Sequence, residues 1–188
     1  MGKVNSKISS EDCAKFLKKT SFTKKEIYQW YKCFYKSCPE GCISKEQLLE
    51  MYYGVFPGGD PKNFVDIAYK AIDLNNDGSI TFDDFIITLD VCKRNSTEKI
   101  DWIFRFFDTD NDGIISKNEL YNFVSAIYKM LGDKEVESLL DNTVDKRVNS
   151  ILLSINLKNK DIITKEDFGK LINNNQTKEL LAIIKLMI

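Results

Sequence analysis

Apolar residues recur along this chain at the i, i+3, i+4, i+7 spacing that lays one buried stripe along an α-helix. In the first half the stripes are Ile27, Trp30, Tyr31, Phe34; Leu48, Met51, Tyr52, Val55; Phe64, Ile67, Ala68, Ala71; and Phe82, Phe85, Ile86, Leu89. In the second half they are Ile100, Ile103, Phe104, Phe107; Leu120, Phe123, Val124, Ile127; and Val148, Ile151, Leu152, Ile155. Phe168, Leu171 and Ile172 give a shorter eighth match. Eight helices fall into four helix–loop–helix units, a repeat that predicts an all-α fold of two pairs. The expected organisation is a basic arm and helix over 1–20, a first pair over 21–92, a hinge at 93–97, and a second pair over 98–175. An amphipathic helix closes the chain at 176–188.

The loops between paired helices carry the chemistry. A hard cation such as calcium takes six to eight oxygens at roughly 2.3–2.6 Å, and a 12-residue loop of the EF-hand type supplies them. Side-chain oxygens come from positions 1, 3 and 5, a turn glycine stands at 6, a backbone carbonyl comes from 7, and a bidentate glutamate closes the site at 12. The third loop, Asp108–Glu119, meets every requirement with Asp108, Asp110, Asp112, Gly113, Ile114 and Glu119. The second, Asp73–Asp84, has Asp73, Asn75, Asp77, Gly78 and Ser79 but ends on Asp84, one methylene shorter than glutamate. That shortening should weaken calcium binding and admit magnesium, which needs only one oxygen there.

The first loop begins with Lys36, ends with Gln47 and is stiffened by Pro39. The fourth places Lys158 and Lys160 at positions 3 and 5. Both should serve only as structural partners of the active loops, so about two calcium sites are expected in all. Each loop keeps an aliphatic residue at one late position: Ile43, Ile80, Ile115 and Ile163. In paired EF-hands this residue makes a short antiparallel β-bridge, so loops one and two, and loops three and four, are expected to pair.

Composition narrows the function. The 188 residues are 43% hydrophobic and 29% charged with a net charge of −1, which argues against nucleic-acid binding. No run of 18 apolar residues could span a bilayer, and the polar start Met1–Lys7 lacks the apolar core of a secretion signal, so a cytosolic protein is expected. An odd count of five cysteines argues against a disulfide framework. Cys38 and Cys42 lack the histidine or second cysteine pair that a zinc site needs. The absence of histidine also removes the usual general base, and no nucleophile–base pair or phosphate loop points to an enzyme.

Several runs resemble the neuronal calcium sensor family, on its recoverin–visinin side. They are Met1–Lys7, Trp30-Tyr31 ahead of Cys38-Pro39-Glu40-Gly41, Phe56-Pro57 followed by Asp60-Pro61, Ile115–Glu119 and Ala126–Met130. The resemblance covers nearly the whole chain, and Cys-Pro in a disabled first loop is its most specific mark. It implies myristate on Gly2, consistent with glycine after methionine and Ser6 four residues on. One acyl chain holds a membrane only marginally, with K of about 10⁴ M⁻¹, so a second signal is required. Nine lysines against Glu11, Asp12 and Glu26 in the first 36 residues, a net +6, would supply it.

The family's calcium–myristoyl switch would hold the acyl chain in an aromatic groove and release it when the hands open. The emptied groove would then take a target helix and leave the protein reversibly membrane-associated. On the matching positions the groove would use Phe22, Trp30, Tyr31, Phe34, Tyr52, Phe56, Phe82, Phe85 and Leu89, which read equally as core of the first pair. Asp84 departs from the family's usual glutamate, and Asn95 stands where a hinge glycine is common. A phosphatase regulatory subunit like calcineurin B would keep four working loops, and a simple calcium buffer would need neither acylation nor groove. A monomer or weak dimer is expected. Residues 176–188 would pack on the second pair, cover the groove, or dip into the membrane interface.

Overall fold

A computed structural model describes residues 8–93, 97–154 and 162–172. Ten helices and four short strands are present among them: α1 (Ser10–Lys19), α2 (Lys24–Ser37), β1 (Cys42–Ile43), α3 (Lys45–Val55), α4 (Lys62–Ile72), β2 (Ile80–Thr81), α5 (Phe82–Lys93), α6 (Thr97–Phe104), β3 (Ile114–Ser116), α7 (Lys117–Leu131), α8 (Asp133–Glu137), α9 (Val144–Ser154), β4 (Ile162–Thr164) and α10 (Lys165–Ile172). This is the expected all-α architecture. The strands pair antiparallel, with Ile43 opposite Ile80 and Ile115 opposite Ile163. All four isoleucines are at most 9% exposed, so each bridge ties its two loops and also plugs the base of its pair.

The helix starts are encoded locally. Thr23 caps α2 and Ser116 caps α7, each with a glutamate three residues on that accepts the backbone N–H of the cap. The short α8 was not expected, because Asp133–Glu137 is too brief to carry a helical period. The Gly2 acylation signal and the 176–188 segment lie outside the described residues, as do 94–96 of the hinge, which Lys93 and Thr97 flank.

Two compact units result, each gathering elements from two separate stretches of the chain. The first gathers α1, α2, β1, β2 and α5; the second gathers α3, α4 as far as Ala71, and α6 to α10 with β3 and β4. In the first unit Phe82 is the hub: the rings of Phe16, Tyr31 and Phe34 meet it edge-on at 5.3, 5.1 and 5.5 Å. In the second, Phe123 of α7 joins Phe107 at 4.0 Å and Phe64 of α4 at 6.2 Å. Such aromatic pairs contribute about 0.5–1.5 kcal/mol beyond area burial.

Candidate metal centre

Both loops with ligand-bearing side chains adopt one backbone form. Asn76 and Asn111, at position 4, lie at φ 56° and 61°, and Gly78 and Gly113, at position 6, at 83° and 85°. Left-handed backbone at two nearby positions curls the chain so that N–H groups point inward. In the third loop Asp112 and Gly113 donate their N–H groups to the two Asp108 oxygens, both at 3.1 Å. In the second loop Asp77 and Gly78 do the same to Asp73, at 3.2 and 2.8 Å. Position 1 is thus aimed by the backbone of its own loop.

The position 12 carboxylate closes the loop from the opposite side. One Glu119 oxygen accepts the Thr109 N–H at 2.8 Å, and the other accepts the Ser116 N–H at 2.9 Å and the Ser116 hydroxyl at 2.8 Å. Asp84 reaches the same groups of its own loop: the Leu74 N–H at 3.2 Å, the Thr81 N–H at 3.0 Å and the Thr81 hydroxyl at 2.7 Å. The shorter side chain therefore still spans its loop, with the longer bond on the Leu74 side.

The flanking ligand positions differ more. Asp108, Asp110 and Asp112 each bring a carboxylate oxygen within 4.8 Å of the others, a spacing suited to one hard cation. In the second loop the Asn75 amide nitrogen instead donates to an Asp77 oxygen at 2.8 Å. The Asn75 amide offsets charge there, where the third loop has the Asp110 carboxylate instead. Burial, together with the Asp112 and Glu119 charges, pushes the Asp108 carboxyl above its ordinary range, against the pull of the Gly113 and Asp112 N–H groups. Burial also opposes the Glu119 charge, but the donors on Ser116 and Thr109 outweigh it and hold that carboxyl low.

Position 1 and position 12 are buried in both loops, while Asn75, Asp77, Asp110 and Asp112 face solvent and Ser79 and Ile114 are half-buried. An all-oxygen donor set, anionic on several sides and arranged around one point, fits calcium. The first loop keeps the left-handed glycine, Gly41 at φ 86°, but has Pro39 at position 4 and no left-handed residue there. Cys38 is buried there, and burial together with Cys42 raises its thiol pKa. Positions 1 to 6 of the fourth loop lie outside the described residues; its Thr164 and Asp167 keep the exit-helix cap, hydroxyl to carboxylate at 2.8 Å.

The expected groove residues are divided between the two units. Trp30, Tyr31, Phe34, Phe82 and Phe85 share an aromatic cluster in the first unit, where Phe22 and Leu89 are also buried. Tyr52 and Phe56 belong to the second unit, where Tyr52 stacks near Phe56 at 6.3 Å and meets Phe64 at 5.6 Å. Sequence reading passed over Thr81, Thr109 and Ser116, which orient the position 12 carboxylates. The Ser/Thr-x-x-Glu/Asp spacing at 81–84, 116–119 and 164–167 was the available signal.

Residues 39–92 and 90–127 match the family model for an EF-hand domain pair. S-modulin of Aquarana catesbeiana is 34% identical over 98% of this chain and 93% of its own length. Recoverin of Homo sapiens is 35% identical over 88% of this chain and 84% of its own, and neuronal calcium sensor 1 of Lymnaea stagnalis is 40% identical over 89% and 88%. Fold, loops and relatives together define an EF-hand calcium-binding protein. The chain belongs to the neuronal calcium sensor family, whose members are calcium sensors and not enzymes. No helix among the described residues is long and apolar enough to cross a membrane.

Proposed function

We propose that the protein senses calcium through its second and third loops and converts occupancy into reversible membrane association and control of a target protein. The third-loop convergence of Asp108, Asp110 and Asp112, closed by Glu119, is the observation that carries this reading. Side-chain oxygens of these four residues and the Ile114 carbonyl would hold the ion in the third loop. Asp73, Asn75, Asp77, Ser79 and Asp84 would hold calcium or magnesium in the second. A bound cation supplies the positive charge that the converging carboxylates otherwise lack. Glu119 stands in the first turn of α7, so a shift of its carboxylate toward Asp108 carries the helix with it. Asp84 is placed alike on α5, which bears Phe82, Phe85 and Leu89. Movement of α5 would therefore loosen the aromatic cluster against Trp30, Tyr31 and Phe34 and open it to an amphipathic target helix.

Membrane attachment would come from myristate at Gly2 supported by the lysine-rich first 36 residues. The test is sedimentation of the acylated full chain with anionic vesicles, with and without calcium. Calcium should increase the bound fraction several-fold, and Gly2→Ala and Glu119→Gln should each abolish that increase. Binding that ignores calcium, or survives Gly2→Ala, would overturn the switch.

A further inference from the structure

The segment joining α3 to α4, Phe56 to Pro61, is docked backbone-to-backbone on the C-terminal end of α7. The Asp60 N–H donates to the Lys129 carbonyl at 2.7 Å. Two glycines make the approach possible. A Cβ on Gly59 would lie 2.0 Å from the Met130 carbonyl oxygen, and one on Gly132, which ends α7 at φ 84°, would lie 2.2 Å from the Gly58 carbonyl oxygen. No side chain fits at either position without separating the two backbones.

The Asp60 side chain ties the same point to two further helices. One oxygen accepts the Tyr53 hydroxyl of α3 and the Lys62 N–H at the start of α4, each at 3.2 Å. Behind this knot, Phe64 of α4 packs on Phe123 of α7 at 6.2 Å and is itself fully buried. The three helices are not equivalent in the loop scheme. Helix α7 leaves the third loop, and α4 runs directly into Asp73, the first residue of the second loop. The last turn of one loop's exit helix is therefore bonded to the first turn of the other loop's incoming helix.

We propose that Gly59, Asp60 and Gly132 are positioning residues that couple the two cation loops, so that occupancy of the third raises the affinity of the second. The inference rests on the reading of both loops as cation sites. A displacement of α7 cannot be absorbed by a soft side-chain contact at this junction, because the contact is main chain on main chain. It passes to α4 and from there to the backbone that aims Asp73. By linkage the second loop must favour the third by the same factor.

The two tryptophans allow each loop to be read separately. Trp30 packs on Phe85 of α5, the helix that leaves the second loop, at 6.0 Å. Trp102 packs on Phe106, just ahead of the third loop, at 4.8 Å. In the full chain carrying Trp102→Phe, calcium titration followed by Trp30 fluorescence gives the second-loop midpoint. Adding Glu119→Gln, which disables the third loop, should move that midpoint to higher calcium by at least about fivefold, the low end of typical coupling. In the Gly59→Ala background the same addition should move it less than twofold.

Gly58→Ala is the control, since a Cβ there meets only the Leu131 carbonyl oxygen at 4.0 Å; it should keep the full shift. If Gly59→Ala does not fold by circular dichroism, Asp60→Ala, which removes both side-chain ties, should reduce the shift instead. A shift equal to wild type in folded Gly59→Ala, or in Asp60→Ala where that variant stands in, overturns the coupling. So does its loss in Gly58→Ala. Failure of both tryptophans to respond to calcium in their single-tryptophan parents would instead overturn the cation-site reading itself.

Discussion

The second and third loops share a backbone and differ in charge. Both place left-handed residues at positions 4 and 6, and both aim their first aspartate with two N–H groups. The third carries carboxylates at positions 1, 3, 5 and 12, with Asp108 destabilised in its ionised form. In the second, Asn75 replaces one carboxylate and its amide satisfies Asp77, while Asp84 closes the loop with one methylene less. The comparison separates two properties that the EF-hand pattern combines. Loop shape follows from glycine, asparagine and the inward N–H groups. Affinity follows from how much repulsion a cation relieves and how many oxygens position 12 can turn toward it.

The largest effect should come from removing the closing carboxylate of the stronger loop. Glu119→Gln is expected to take the third loop out of the sensor range of about 10⁻⁷–10⁻⁵ M, a loss of two or more orders of magnitude in calcium affinity. Calorimetric titration checks it, and an unchanged tight event would mean that another group closes the site. In the second loop, Asp84→Glu restores the second oxygen. Calcium affinity should rise by about tenfold and magnesium should compete less, measured by calcium titrations at fixed magnesium. Equal affinities in the two proteins would mean that Asp84 is not a ligand.

A smaller effect concerns the metal-free protein. The folded-state pKa of Asp108 is raised, so its ionised form is disfavoured in the native loop. For such a group, stability is greatest below the ordinary carboxylate pKa and declines as pH rises through the raised value. Asp108→Asn should therefore raise the melting temperature of the calcium-free chain by a few degrees at neutral pH, and the gain should vanish in acid. The same variant should lose most of the stabilisation that calcium gives wild type. Thermal unfolding at two pH values, with calcium and with chelator, decides between this outcome and a purely structural role for Asp108.

The repeat was legible because four units carry the same 3.6-residue stripe and the same late isoleucine, and Ile43–Ile80 and Ile115–Ile163 pair as that spacing requires. The proposed ligands can be chosen for a similar reason, since position within a 12-residue loop determines which side chains can converge. Compactness was not legible. Helices α3 and α4 lie before the hinge in sequence yet group with the second half, because Phe64 and the Asp60 knot are held by α7. A main-chain dock leaves no hydrophobic period to read, only the Gly58-Gly59 pair and Gly132. Nor did the stripes distinguish groove from core: Phe34 and Phe82 are buried, whereas Trp30 and Phe85 at the same spacing are half-exposed.

Position 12 is expected to rank the two loops of common shape. The most direct test of that ranking is the reciprocal exchange, Asp84→Glu with Glu119→Asp in one chain, titrated with calcium while Trp30 and Trp102 are followed in separate single-tryptophan versions. In the parent proteins the Trp102 signal should respond at lower calcium than the Trp30 signal. In the exchanged proteins the gap should close or reverse, with the Trp30 response moving to lower calcium and the Trp102 response to higher. An order and spacing of midpoints unchanged by the exchange would mean that position 12 does not rank the loops.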